Sequence, residues 1–168
     1  PRQFTSLVGR DDLVRHAAEL VRDRQLVTLT GVGGVGKTRM AFEVGAELAG
    51  EFPDGVWLVE LAAVADPGSI PAAIATVLGI TPQGDTPLIT TVAATLAAKR
   101  LLLVVDNCEH VLKAARSAIE MIVGRSGNVR VLATSREALG VDGETVLDVS
   151  PLAVAGGTES DAVTLFVD

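Results

Sequence analysis

The residues with the clearest chemical use are those from Gly31 to Thr38, which read GVGGVGKT. They form a complete phosphate-binding loop, G-x-x-x-x-G-K-[ST], directly after the apolar run Leu26–Thr30. Glycines accept the positive φ angles that aim several backbone N–H groups at one phosphate chain. The helix that follows adds the positive end of its dipole. Because strand, loop and amphipathic helix occur in this order, a nucleotide site is favoured over a plain glycine-rich turn.

The loop and the first helical turn supply most of the predicted nucleotide ligands. Lys37 is expected to reach the β- and γ-phosphates as a point charge. The Thr38 hydroxyl is expected to be a ligand of Mg²⁺. The predicted cofactors are therefore ATP or ADP together with Mg²⁺, held by Gly33, Gly34, Val35, Gly36, Lys37, Thr38 and Arg39.

Two further apolar runs end in polar side chains. Leu101–Val105 is the most apolar run of the chain and ends in Asp106, which predicts a central parallel strand whose carboxylate holds a metal-bound water. Capping of the next helix is the alternative role for this aspartate. Val129–Ala133 leads in the same way to Thr134 and Arg136, and Arg136 could sense the γ-phosphate. A solvated loop arginine is the alternative there.

Strands and helices alternate along the whole chain. Continuous apolar residues at Val56–Val59 suggest a strand buried on both faces, and a helix is expected to finish with Lys99 and Arg100. Alternation of this kind predicts right-handed crossovers, a mainly parallel sheet covered on both faces, and ligands at its carboxyl edge. The predicted strands are Leu26–Thr30, Val56–Val59, Leu101–Val105, Val129–Ala133 and Thr145–Val149.

Composition limits the classes of partner. The 168 residues suit one domain, and the net charge of −7 argues against direct DNA binding by this segment. No run approaches the roughly 18 apolar residues of a membrane span. The single cysteine, Cys108, is interpreted as a small buried residue in a reducing compartment, so cytoplasm is the expected location. A helical pattern begins at Asp161 and continues to the end of the chain.

Five segments, considered together, resemble a known family. The segments Leu7-Val8-Gly9-Arg10, GVGGVGKT, LLLVVDNCEH, VRVLATSRE, and VSPL leading to TLF are similar to the nucleotide-binding domain of STAND signalling ATPases, the NB-ARC-like class. Within that class, the likeness is to bacterial multidomain transcriptional regulators. It extends from about Leu7 to Phe166.

The resemblance implies a fold and further roles. The fold is an α/β P-loop NTPase three-layer sandwich with a five-stranded sheet in the order 5-1-4-3-2, which brings Thr134 and Arg136 beside the phosphates. Val8 and Gly9 would contact adenine through their backbone, and Arg10 would steady the nucleotide. Residues 1–168 would be one nucleotide-binding domain, a regulatory switch acting on neighbouring domains, with a helical and winged-helix continuation after residue 168.

One departure from the family pattern concerns hydrolysis. Family members commonly follow the metal-linked aspartate with a second acid, whereas this chain has Asn107 and its next acid is Glu109. An amide cannot usefully accept a proton from water, so slow turnover is expected, with Glu109 as the stand-in base. The predicted catalytic set is Lys37, Asp106, Glu109 and Arg136.

Two other functions use the same loop. A small-molecule or nucleotide kinase would need an acceptor pocket and an arginine-bearing lid, and no arginine-rich lid segment is evident between the strands. An oligomeric ATPase of the AAA+ type would receive an arginine from a neighbouring copy. Nucleotide-dependent self-association would be its signature.

Overall fold

A five-stranded, wholly parallel sheet organises residues 10–149, the part of the chain that this computed structural model describes. Its strands pair in the order β2-β3-β4-β1-β5. This confirms the order 5-1-4-3-2. The strands are β1 (Leu26–Thr30), β2 (Val56–Glu60), β3 (Leu102–Asp106), β4 (Arg130–Ser135) and β5 (Glu144–Asp148).

Helices cover both faces of the sheet and make it a three-layer sandwich, as expected. One face packs against α1 (Asp11–Asp23) and α2 (Lys37–Leu48). The other face packs against α3 (Ile70–Leu78), α4 (Leu88–Leu96) and α5 (Leu112–Arg125). The helices bury apolar stripes at helical spacing, which supply much of the driving force for folding.

The central strands serve both layers at once. In β3, Leu103 and Val105 face the layer of α3, α4 and α5, whereas Leu102 and Val104 face the layer of α1 and α2. All five residues of β3 are buried. Successive side chains of a strand point to opposite faces, so a strand between two helical layers is apolar throughout.

The strand expected at Val56–Val59 is present as β2 and packs against both cores, but its burial is incomplete. β2 lies at the edge of the sheet and pairs only with β3 among the described strands. Val56, Trp57 and Leu58 are half-buried. A continuous apolar run does not distinguish a central strand from an edge strand that keeps partial cover on both faces.

Two helix assignments also need correction. α4 ends at Leu96, so Lys99 and Arg100 follow the helix instead of occupying its last turn. No helix joins β4 to β5 within the described chain, because residues 136–143 cross the sheet as a loop. Alternation of strand and helix therefore fails at this connection. The helical pattern predicted from Asp161 lies outside the described residues.

Length and hydropathy rule out a membrane-crossing segment among the described helices: none is both long enough and apolar enough.

Gly45 lies where α2 packs tightly against the sheet. A Cβ atom at position 45 would lie 3.3 Å from Val56 Cγ1. We expect Gly45→Leu to lower the free energy of unfolding by about 1–3 kcal/mol, because the side chain would overpack this contact. Urea denaturation measures the change. Gly124→Leu is the control, since position 124 lies in α5 with open space around its Cβ; an equal loss in both variants would contradict the packing argument.

Cys108 is fully buried beside β3, and its Sγ lies 3.6 Å from the Val105 carbonyl oxygen. Burial, followed by the charges of Glu109 and Asp106, raises the pKa of the Cys108 thiol to about 12. The folded thiol therefore stays protonated above the ordinary value of 9.0, where an unfolded thiol ionises. This favours the unfolded chain as pH rises from 9 toward 12.

We expect the free energy of unfolding to fall over this pH range, and to fall less steeply in Cys108→Ala. Urea denaturation at successive pH values measures both slopes. At pH 8 the native thiol should resist iodoacetamide, whereas the exposed position in Ser117→Cys should react. Rapid alkylation of native Cys108 would show that it is not buried in solution.

Candidate nucleotide-binding site

The backbone between β1 and α2 has the shape of a phosphate cradle. Gly34 and Gly36 have φ angles of 83° and 96°, in the region that glycine favours. Gly36 immediately precedes α2, and its carbonyl accepts the Met40 N–H at 2.9 Å. The N-terminal end of a 12-residue helix therefore opens onto the loop.

Two other glycines keep side chains out of close contacts. A Cβ at Gly33 would lie 2.9 Å from Arg136 Nη2, so the guanidinium rests directly against the loop. A Cβ at Gly31 would lie 2.6 Å from the Val149 carbonyl oxygen. The Val149 N–H donates to the Thr30 carbonyl at 2.7 Å. The loop is thus fixed against the backbone that leaves β5.

Lys37 is only 7% exposed, and its ammonium turns back over the loop. Nζ donates to the carbonyl oxygens of Gly31 at 2.7 Å and Val32 at 3.0 Å. These bonds satisfy the charge without an acidic partner. The ammonium is consequently positioned at the loop that would enclose a phosphate chain.

Asp106 connects the loop helix to the neighbouring strands. Its Oδ1 accepts hydrogen bonds from Thr38 Oγ1 at 2.8 Å and from Thr134 Oγ1 at 2.6 Å. Asp106 ends β3, Thr38 lies in the first turn of α2, and Thr134 lies near the end of β4. Because β4 is between β1 and β3, the three side chains meet at the carboxyl edge of the sheet. Hydroxyl and carboxylate oxygens placed together in this way fit Mg²⁺.

The turn after β3 is held in an uncommon conformation. Asn107 has a φ angle of 66°, the one positive value among the described residues that are not glycine. Its N–H donates to Thr134 Oγ1 at 2.8 Å, and the Cys108 N–H donates to the Thr134 carbonyl at 2.9 Å. Thr134 therefore holds both Asp106 and the backbone that follows it.

The side chains of this turn form a second polar group. With the Asn107 amide nitrogen assigned to face Glu109, the orientation that matches donors to acceptors, it donates to Glu109 Oε1 at 2.6 Å and Oε2 at 2.9 Å. Arg136 Nε lies 4.0 Å from Glu109 Oε1. The Arg136 side chain is 67% exposed, so this ion pair is weak.

These residues surround an open pocket of about 570 Å³. Eight of the residues proposed from the sequence line it, and three more lining residues were not foreseen: Phe42, Glu43 and Asn107. Phe42 and Glu43 lie four residues after Thr38 and Arg39, on the same helical face, so helical spacing places them close to the predicted ligands. The foreseen residues that line the pocket are Gly33, Gly34, Gly36, Lys37, Thr38, Arg39, Glu109 and Thr134.

The remaining predicted site residues lie around this pocket or outside the described chain. Asp106 and Arg136 contact it through Thr38, Thr134 and Gly33. Val35 packs against the core between the sheet and α2. Arg10 is buried just before α1, and its carbonyl accepts the Val14 N–H at 2.9 Å. Val8 and Gly9 lie outside the described residues.

Two mycobacterial proteins are similar in sequence. An uncharacterized protein of Mycobacterium tuberculosis is 38% identical over 99% of this chain, which spans 42% of that protein. A protein of the same species that is provisionally named an HTH-type transcriptional regulator is 35% identical over 89% of this chain, which spans 16% of it. This chain therefore corresponds to less than half of either relative.

Solved structures share the fold. Cdc6p from Pyrobaculum aerophilum superposes with a TM-score of 0.68 at 13% identity, over 99% of this chain and 56% of that chain. A STAND protein with a tetratricopeptide repeat sensor from Pyrococcus horikoshii superposes with a TM-score of 0.56 at 15% identity, over 83% of this chain and 23% of that chain. At these identities the likeness establishes the fold alone.

The family itself is shown by sequence. The model of the AAA domain family matches residues 20–138. This segment includes the phosphate-binding loop, Asp106 and Arg136. The chain therefore belongs to the AAA domain family.

Proposed function

We propose that this domain is an ATP- and ADP-binding regulatory switch of the STAND type, with an NB-ARC-like nucleotide site, in a transcriptional regulator. The observation that carries the proposal is the meeting of Thr38 and Thr134 on one carboxylate oxygen of Asp106, beside the glycine loop and Lys37. Two hydroxyls and a carboxylate at the end of a phosphate cradle match the needs of a nucleotide bound with Mg²⁺.

Different residues of the pocket would bind different parts of the Mg²⁺–nucleotide complex. The N–H groups of the loop and the first turn of α2 bind phosphate oxygens, and Lys37 exchanges its bonds with Gly31 and Val32 for the β- and γ-phosphates. Thr38 and Asp106 would hold Mg²⁺, which would supply positive charge beside the phosphates. Arg136, which rests against Gly33, senses the terminal phosphate.

Hydrolysis in this proposal is slow and resets the switch. A water oxygen attacks the γ-phosphorus, the bond to the β–γ bridging oxygen breaks, and ADP and inorganic phosphate leave. Glu109 lines the pocket and accepts the proton of the attacking water. Lys37 and Arg136 stabilise charge on the transferring group. ATP and ADP then favour different arrangements of the adjoining domains.

The kind of protein in which this switch would act is proposed from the relatives. One mycobacterial relative bears the name of an HTH-type transcriptional regulator, and one structural neighbour is a STAND protein. Residues 1–168 would form one nucleotide-binding unit, with Val8, Gly9 and Arg10 at the adenine and any DNA contact made by other domains. We propose a cytoplasmic location.

AAA family membership also favours self-association of the domain when it binds ATP. Size-exclusion chromatography with and without nucleotide detects such self-association.

Lys37→Ala should weaken binding of both ATP and ADP by about 10- to 100-fold, because one charge-assisted contact to the phosphates is lost. Isothermal titration calorimetry measures the dissociation constants. Lys113→Ala is the matched control, since it removes an exposed lysine of α5. Equal affinity of all three proteins would contradict the proposed site, and release of ADP that depends on an added acceptor would indicate a kinase.

Asp106→Asn should reduce the affinity for Mg²⁺ in the ADP complex by about 10- to 100-fold, the usual cost of losing a carboxylate that orients a metal's ligands. Binding of ADP in the presence of EDTA should change little. Titration of the ADP complex with Mg²⁺ provides the measurement. Asp85→Asn, which removes an exposed carboxylate in the loop before α4, is the control and should behave as wild type.

A further inference from the structure

A second polar pocket, of about 480 Å³, lies at the amino edge of the sheet, where the parallel strands begin. This arginine pocket is lined by residues that precede or begin four of the strands: Arg22, Glu51, Phe52, Arg100, Asn128 and Arg130. The proposed nucleotide site is at the carboxyl edge. A five-residue strand such as β3 is roughly 17 Å long, so the two pockets are separate.

The charge of the arginine pocket is opposite to that of the chain. Three guanidiniums and one carboxylate line the pocket, whereas the whole chain has a net charge of −7. The carboxylate is engaged, because both oxygens of Glu51 accept hydrogen bonds from Arg22 at 2.8–3.0 Å. These bonds, and then the charges of Arg22 and Arg100, hold the pKa of the Glu51 carboxyl below its ordinary value. Glu51 therefore offsets one of the three arginines.

The other two arginines keep their charge available to a ligand. Within the described chain, no ion pair joins Arg100 or Arg130 to an acidic side chain. The Arg100 N–H donates to Asp54 Oδ2 at 2.7 Å, which fixes the backbone that carries this side chain. Arg130 Nη1 donates to the Gly127 carbonyl at 3.0 Å, which uses one of the five N–H donors of its guanidinium. Guanidiniums bind phosphate and carboxylate oxygens through paired N–H donors.

We propose that the arginine pocket binds a compact polyanion, a small molecule with closely spaced phosphate or carboxylate groups. Arg100 and Arg130 supply charged N–H donors, and the side-chain amide of Asn128 supplies a neutral one. A volume of about 480 Å³ is in the range of small-molecule sites. The negative charge of the rest of the chain disfavours an extended polyanion such as nucleic acid. None of these residues lines the nucleotide pocket, so polyanion binding does not require the proposed switch.

The first test is isothermal titration calorimetry with inorganic pyrophosphate and, separately, with citrate. All variants carry Lys37→Ala, which weakens competing binding of pyrophosphate at the glycine loop. Arg100→Gln/Arg130→Gln should weaken binding about 100-fold, since each lost charge-assisted contact costs about tenfold or more. Arg15→Gln/Arg116→Gln is the matched control, because it removes two exposed arginines elsewhere and changes the net charge equally. It should bind both probes as Lys37→Ala does.

The second test predicts a gain. Glu51→Gln removes the one carboxylate that lines the arginine pocket and releases Arg22 from its ion pair. In the Lys37→Ala background we expect the affinity for the bound probe to rise about three- to tenfold, because a nearby negative charge is lost. Glu120→Gln breaks a comparable exposed ion pair, with Arg116 in α5, and should leave the affinity unchanged.

The outcomes are specific to the arginine pocket. Binding of pyrophosphate alone identifies phosphate as the ligand chemistry, and binding of citrate alone identifies carboxylate. The polyanion site is wrong if Lys37→Ala binds neither probe, if both double variants weaken binding equally, or if Glu51→Gln does not raise the affinity. Arg100→Gln/Arg130→Gln with Lys37 intact should bind ADP as wild type does. Failure of wild-type protein to bind ATP or ADP would overturn the switch and leave the polyanion site standing.

Discussion

One carboxylate oxygen, Asp106 Oδ1, connects the three elements on which the site depends. It accepts a hydrogen bond from Thr38 of α2 and another from Thr134 of β4, and it belongs to the end of β3. Asp106 is 7% exposed, so these bonds replace most of the water that a carboxylate would otherwise hold. Separation of any one element from the others would leave a nearly buried charge with fewer donors, so the site favours this one arrangement.

The order of the strands makes that meeting possible. β4 inserts between β1 and β3, although it follows both in sequence, and this places a strand that carries Thr134 beside the loop after β1. Residue types and spacing predicted the loop, the apolar strands and the polar residues at their ends. The order itself came from the family resemblance, because short apolar runs specify strands without specifying their neighbours.

Three other features could not be fully predicted from the sequence, each for a different physical reason. The edge position of β2 depends on which strands pair, and its apolar residues would suit either location. The pocket residues Phe42 and Glu43 follow from helical spacing, yet only the open mouth of the pocket shows that they line it. The positive φ angle of Asn107 is one that its residue type permits but does not dictate.

The close contact between Gly31 and Val149 couples the glycine loop to the backbone that follows β5. A Cβ atom at position 31 would come within 2.6 Å of the Val149 carbonyl oxygen, and the Val149 N–H is bonded to Thr30. Backbone packed this tightly transmits displacement instead of absorbing it, since interiors have low compressibility. A displacement of the start of the glycine loop is therefore expected to be shared by the backbone at position 149.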